Sequence, residues 1–147
     1  KIMIKVVFGK YKAVSLSLFL IYLMVSLSAC QSRSLQKYYS ERDNYVDATG
    51  TVTYISYSDD KNALYLDFSE LIPRFDDTCF KIVGDNLLLV QEKGIDQKIE
   101  VGDKVDFITA PRYFGDGYVM PIVAISVNGE ELLDFEEGFD NLQKWLS

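Results

Sequence analysis

The first thirty residues decide how much chain is left to build a core. Lys1, Lys5, Lys10 and Lys12 are the only charged residues among the first 29. An uncharged run from Ala13 to Leu27 follows, interrupted only by Ser15, Ser17 and Ser26. Positive charge, then an apolar stretch, then small residues is the order of a secretory leader, in which the lysines stay on the cytoplasmic side while the apolar run enters the membrane. A permanent spanning helix needs about 20 apolar residues, and this run is shorter and dotted with hydroxyls. Residues 1–29 are therefore expected to be removed, leaving residues 30–147. That length supports one domain with one core and not two.

The four residues at the end of the run are Leu27-Ser28-Ala29-Cys30. An aliphatic residue, two small residues and a cysteine resemble the lipobox of bacterial lipoproteins. The resemblance implies a diacylglyceryl thioether on Cys30 and cleavage of the Ala29–Cys30 bond. Each buried methylene of such chains contributes about 0.8 kcal/mol, so two or more chains anchor stably. The expected location is the extracytoplasmic face of the cell membrane. The alternative is an uncleaved anchor with an ordinary cysteine.

Charge and the reactive residue types narrow the function. The chain carries 15 basic and 22 acidic residues. Loss of the four leader lysines makes the remainder still more acidic, at 11 against 22. Such a surface repels phosphate backbones, so nucleic acid is a poor partner. With Cys30 acylated, Cys79 is the one thiol left, and no internal disulfide is expected. Cys79 lies in the strand-like run Asp77-Thr-Cys-Phe-Lys-Ile-Val83, which suits a buried small apolar side chain better than a reactive thiol. Histidine is absent from the sequence, which excludes Ser-His-Asp and Cys-His catalysis and histidine-ligated zinc. The acidic pairs Asp59-Asp60, Asp76-Asp77, Glu130-Glu131 and Glu136-Glu137 do not alternate around a glycine as calcium loops do. They read as surface charge, and no metal or cofactor is expected.

Residues 30–45 are polar and read as a tether, with a short helix expected over Ser34–Arg42. From Val46 the pattern turns to β. Thr51–Tyr57 is rich in β-branched and aromatic residues, Ser58–Asn62 is a turn cluster, and Leu64, Leu66 and Phe68 alternate onto one face, which together predict a hairpin. Ser69–Thr78 reads as a loop and Cys79–Val83 as a third strand. Asp85 is expected to cap a short helix over Asn86–Lys93, closed by Gly94 with Ile95 folding back onto Val90. Val101–Val105 is a turn into a strand over Lys104–Thr109. Tyr118–Val127 is the next strand, Asn128-Gly129 a two-residue hairpin turn, and Glu130–Phe135 the returning strand. Phe139, Leu142, Trp145 and Leu146 predict a C-terminal helix with one apolar face.

Three strands, a short helix, then two or three strands resemble an OB-fold over residues 46–135, helped by Val101-Gly-Asp-Lys-Val105 before the fourth strand. The fold class expected is therefore mainly β with short helices: a five- to six-stranded OB-fold-like barrel in residues 46–147. An SH3-like barrel or an open α+β sheet would give a similar pattern. The arrangement also resembles small uncharacterised lipoproteins of Gram-positive bacteria, a resemblance that implies no activity.

One connection concentrates binding chemistry: Ala110-Pro-Arg-Tyr-Phe-Gly-Asp-Gly-Tyr-Val-Met-Pro121. Arg112 suits pairing with a carboxylate or stacking on a ring. Tyr113, Phe114 and Tyr118 suit a platform for a sugar or aromatic group, and Asp116 adds a carboxylate. An OB-fold resemblance implies that the connection between strands four and five lies at the ligand face. The competing reading makes Gly115-Asp116-Gly117 a hairpin turn and the aromatics a cap on the barrel end. Arg74, in Ile72-Pro-Arg-Phe-Asp-Asp77, is a second candidate, with a solvated loop charge as its alternative.

Two functions fit these residues. One is a non-catalytic binding module facing an envelope protein, peptide or glycan through the 110–121 loop, aided by the 69–78 loop. The other is a carboxylate-dependent enzyme acting on an envelope polymer. The first is preferred because no motif supplies a nucleophile and its base.

Overall fold

A computed structural model describes residues 34–113 and 118–147. The leader, Cys30, Phe114 and Asp116 lie outside the described residues. Residues 38–147 form a compact unit.

The chain is helical over 34–40 (α1) and makes a 3-10 turn at Arg42–Asn44. Strands β1 (Val46–Tyr57), β2 (Ala63–Ile72) and β3 (Cys79–Val83) follow. Helices α2 (Gly84–Glu92) and α3 (Ile95–Lys98) come next, then β4 (Lys104–Thr109), β5 (Met120–Val127), β6 (Glu130–Leu133) and helix α4 (Phe135–Leu146). The protein is mainly β, as expected.

All six strands belong to one sheet. The antiparallel pairs are β1–β2, β2–β3, β1–β4, β4–β5 and β5–β6. A parallel contact of β3 with β5, Phe80 opposite Met120 and Lys81 opposite Pro121, returns the hydrogen-bonded path to its start. The path β1–β2–β3–β5–β4–β1 is thus a ring. β1 is long and irregular, and it pairs with β2 along one edge and β4 along the other. Its register shifts around Gly50 and again between Val52 and Tyr54, and such bulges bend a strand and increase its twist. A Cβ on Gly50 would stand 3.0 Å from Phe68 Cβ and Leu71 Cδ2, so a larger residue there would press on both neighbours.

The core is aromatic at its centre. Leu64, Leu66 and Phe68 are all buried on the face that their alternation predicts. Phe68 stacks on Phe107 with centroids 4.7 Å apart, and Phe80 meets both edge-on at 5.5 and 4.9 Å. Offset and edge-on pairs of this kind add about 0.5–1.5 kcal/mol each beyond their buried area. Val90, Ile95 and Ile99, from the helices and the segment after them, join this cluster.

Local signals hold where the cause is local. Gly94 adopts the left-handed conformation after α2, and Ile95 is buried with Val90. Asn128 and Gly129 both have positive φ between β5 and β6, which suits a two-residue hairpin turn. Four expectations need correction. Asp85 does not cap α2: the helix starts at Gly84, and Asp85 lies in its first turn, where a carboxylate favours the helix dipole. β2 continues through the expected loop to Ile72, past the polar pair Ser69-Glu70 that breaks the alternation. β5 begins at Met120, leaving Tyr118 in the connection, and β6 ends at Leu133, with Phe135 opening α4.

The compact unit also begins earlier than residue 46. Tyr39 is completely buried, and its hydroxyl donates to the Arg112 carbonyl at 2.6 Å. Arg42 makes a bidentate contact with Glu136 at 2.5 and 2.7 Å and lies 4.6 Å from the Phe139 ring centroid. Tyr45 meets the rings of Phe135 and Phe139 edge-on. Residues 38–45 are thus part of the folded unit and not tether.

Helix α4 lies unusually close to the sheet. A Cβ at Gly138 would fall 1.7 Å from the Val123 carbonyl oxygen, so only glycine allows this approach. The Asn86 amide nitrogen, buried on α2, donates to the Gly138 carbonyl at 2.8 Å and ties the two helices together. Asp134 caps α4 by accepting from Glu137 N at 3.2 Å. Among the described residues no helix is long and apolar enough to cross a membrane.

Candidate functional site

The strand registers place the two candidate loops together. β2 ends at Ile72 opposite Thr49, and β4 ends at Thr109 opposite Val46. The β2–β3 and β4–β5 connections therefore leave the same end of the sheet. The β1–β2 turn lies at the other end, where Tyr57 faces Leu64.

Each connection is pinched at its base. Phe68 N donates to the Thr78 carbonyl at 3.1 Å across the first. The buried Thr109 hydroxyl donates to the Pro121 carbonyl at 2.7 Å across the second. A scaffold that fixes both ends of a loop can hold functional side chains there without needing them in its core.

Between the two connections lies a cavity of about 310 Å³, lined by Arg74, Phe75, Asp76, Asp77, Pro111, Arg112, Tyr113 and Met120. Arg74 and Arg112, weighed separately in the sequence, thus line one cavity. Arg112 is half-buried and held from several sides. Its amide donates to the Ala110 carbonyl at 2.7 Å, its carbonyl accepts from Tyr39, and its guanidinium carbon lies 5.0 Å from the Tyr38 ring centroid. Stacking on a ring was one of the two roles expected of it. Arg74 is exposed and makes no ion pair among the described residues.

Tyr113 and Tyr118 are 40% and 74% exposed, with centroids 5.2 Å apart and planes at 86°. They form an edge-on pair, two of the three rings expected to make a platform. Their exposed rings still offer apolar surface beside the cavity mouth. Phe114 and Asp116 cannot be added to this geometry, since they lie outside the described residues.

The acidic side of the cavity was not singled out in the sequence as part of a site. Asp77 Oδ1 accepts from Thr78 N at 2.7 Å and Cys79 N at 3.4 Å, so one of its oxygens is used to shape the turn. Asp76 is exposed. The adjacent pair reads as surface charge in sequence because nothing local reveals that Arg112, from the other connection, lines the same cavity.

Other titratable groups show what chemistry is on offer. Burial, helped by the neighbouring Asp67 carboxylate, pushes the Cys79 thiol up to about 12. It is a neutral thiol at physiological pH and a poor nucleophile. Glu136 is held below the usual carboxylate range by its hydrogen bond to Arg42, and Asp60 by the Ser58 hydroxyl and the Asn62 amide. Both stay ionised near neutrality and cannot serve there as general acids. Burial raises Tyr39 and Tyr45 well above the usual phenol value, so both remain neutral donors. Among the described residues, no group of three or more His, Cys, Asp or Glu is placed to hold a metal ion.

A second, larger hollow of about 530 Å³ lies on the β1–β4–β5 face. There Thr49, Asp106, Ser126 and Glu131 stand in one cross-strand row, with Asp47 nearby. It carries carboxylates and hydroxyls but no cation, and no sequence candidate falls in it.

In comparison with known proteins, no family model matches this chain, and neither does any curated protein or solved structure.

Proposed function

We propose that this protein is a membrane-anchored lipoprotein, held at the extracytoplasmic face by lipid on Cys30, whose folded domain is an OB-fold-like barrel that binds a ligand without transforming it. The observation that carries the binding reading is the convergence of Arg74 and Arg112, from two different connections, on one cavity walled by aromatic and apolar side chains. Its volume falls at the lower end of ligand-binding pockets, about 300–1,000 Å³, and a few polar groups among apolar ones is their usual lining.

The barrel part of the reading is supported by the ring of strand pairings, by the helix between β3 and β4, and by the parallel β3–β5 contact that closes the ring. Those features accord with the OB-fold resemblance, in which the connection after the fourth strand borders the ligand. The anchoring part is supported by Leu27-Ser28-Ala29-Cys30 and the lysine-flanked apolar run before it. Recognition is favoured over bond-making because the Cys79 thiol is protonated and the sequence has no histidine. An envelope protein, peptide or glycan is the partner class that this location offers.

Two experiments test it. Cys30→Ala should abolish incorporation of labelled palmitate in the native host; labelling that survives the substitution refutes anchoring at this residue. Detergent-solubilised protein should retain a component of envelope extract that Arg112→Ala fails to retain while unfolding at the same denaturant midpoint. Equal retention by both proteins would remove the cavity from the account.

A further inference from the structure

The cavity is amphoteric. Two guanidiniums and two carboxylates line it, in a chain whose formal charge is −7. That balance is the unusual feature, because an acidic surface repels anions except where cationic side chains are gathered. A ligand bearing only negative charge gains from Arg74 and Arg112 but meets Asp76, Asp77 and the repulsion of the whole surface. A ligand bearing only positive charge meets both guanidiniums. A ligand with both charges, spaced a few ångströms apart, can satisfy both kinds of group.

The groups differ in how ready they are. The Arg112 backbone is fixed by its hydrogen bonds, and its guanidinium carbon lies 5.0 Å from the Tyr38 ring centroid, which limits the side-chain freedom that binding would remove. Bidentate pairing with a carboxylate is what such a fork recognises. Asp77 already uses one oxygen on the turn that it caps. Asp76 accepts no hydrogen bond among the described residues, which leaves its carboxylate open to an ammonium. Phe75, Met120 and Tyr113 add apolar surface to the same lining.

We propose that the ligand of this cavity is a small zwitterion with an apolar body, of the class of a free amino acid or a short peptide with both termini unblocked: its carboxylate on Arg112 and Arg74, its ammonium on Asp76. This rests on the binding reading above and names the chemistry of the same site. No bond is made or broken.

The test is titration calorimetry of the detergent-solubilised full chain with three forms of one dipeptide: alanyl-phenylalanine, its N-acetyl derivative, which keeps only the negative charge, and its C-terminal amide, which keeps only the positive one. The free dipeptide should bind at least about tenfold more tightly than either blocked form, the factor expected from losing one charge-assisted contact. Arg74→Ala should weaken the free dipeptide while leaving the amide unaffected. Asp76→Asn should weaken the free dipeptide while leaving the N-acetyl form unaffected. Arg74 and Asp76 are exposed, so neither change threatens the fold. Equal binding of all three forms, or none by any, overturns the proposal. If none binds yet Arg112→Ala still abolishes retention of the envelope component, the cavity remains a site and only its zwitterion chemistry falls. If that retention is also unchanged, both readings fall.

Discussion

The contact of α4 with β5 and the cavity between the β2–β3 and β4–β5 connections are built on opposite principles. At the first, backbone meets backbone. Gly138 leaves no room for even a methyl group above Val123, and the Asn86 side chain ties α2 to the Gly138 carbonyl. At the second, polar and aromatic side chains surround open space, on connections that are pinched at their bases and held by a few hydrogen bonds. Close packing is intolerant of added volume, whereas a solvated pocket is tolerant of substitution but sensitive in binding. The same domain thus separates residues that maintain the fold from residues free to recognise something.

Substitution should expose that division. The largest effect is expected at Gly138→Ala, where a Cβ would overlap the Val123 carbonyl oxygen; it should cost about 3 kcal/mol or more, or prevent folding, because backbone on both sides resists the shift. A denaturant midpoint within experimental error of the parent would mean that the helix can move away freely. Next comes Asn86→Ala, which removes a buried hydrogen bond between α2 and α4 and should cost about 1–2 kcal/mol in the same measurement.

A smaller, pH-dependent effect belongs to Cys79. Its folded pKa is raised, from an ordinary value of 9.0 to about 12, so the native state holds this proton more tightly than the unfolded chain does. The associated stability is fully present below about pH 9 and declines as pH rises toward about 12. Cys79→Ala should flatten the onset of that decline, before the tyrosines join it; an unchanged profile between pH 8 and pH 10 would show that the thiol is not shielded. The smallest effect is expected at the cavity: Arg74→Ala should change stability by no more than about 0.5 kcal/mol, as usual for an exposed side chain without a partner. A loss comparable to that at Asn86 would show that the cavity wall is structural.

The sequence was legible where a short stretch carries its own cause. Alternation placed Leu64, Leu66 and Phe68 inside, Asn128-Gly129 marked its hairpin, and Gly94 marked the end of α2. It was opaque where the cause lies far along the chain. Tyr39 sits in a polar stretch that reads as tether, yet its burial depends on a carbonyl 73 residues away. Gly138 looks like an ordinary interruption in a helix until β5 is laid against it. The polar pair Ser69-Glu70 hid the continuation of β2, because edge irregularities are set by the neighbouring strand and not by local alternation.

The candidate site divides in the same way. Arg112 and its tyrosines stood out because their residue types are unusual together, and Arg74 was found on the same grounds. That Arg112 shares a cavity with Arg74, Asp76 and Asp77 follows only from strand order and register. Composition reveals recognition chemistry, and topology decides which pieces of it meet.

The claim on which the rest depends is that recognition occurs between the β2–β3 and β4–β5 connections. It is tested most directly by mapping backbone amide NMR shifts of the solubilised protein as envelope extract is added. The account predicts that the perturbed residues cluster at 74–77, 112–113 and 118–120, with α4 and the strands beneath it unmoved. Perturbations centred instead on Asp47, Asp106 and Glu131, in the acidic hollow of the β1–β4–β5 face, would contradict it.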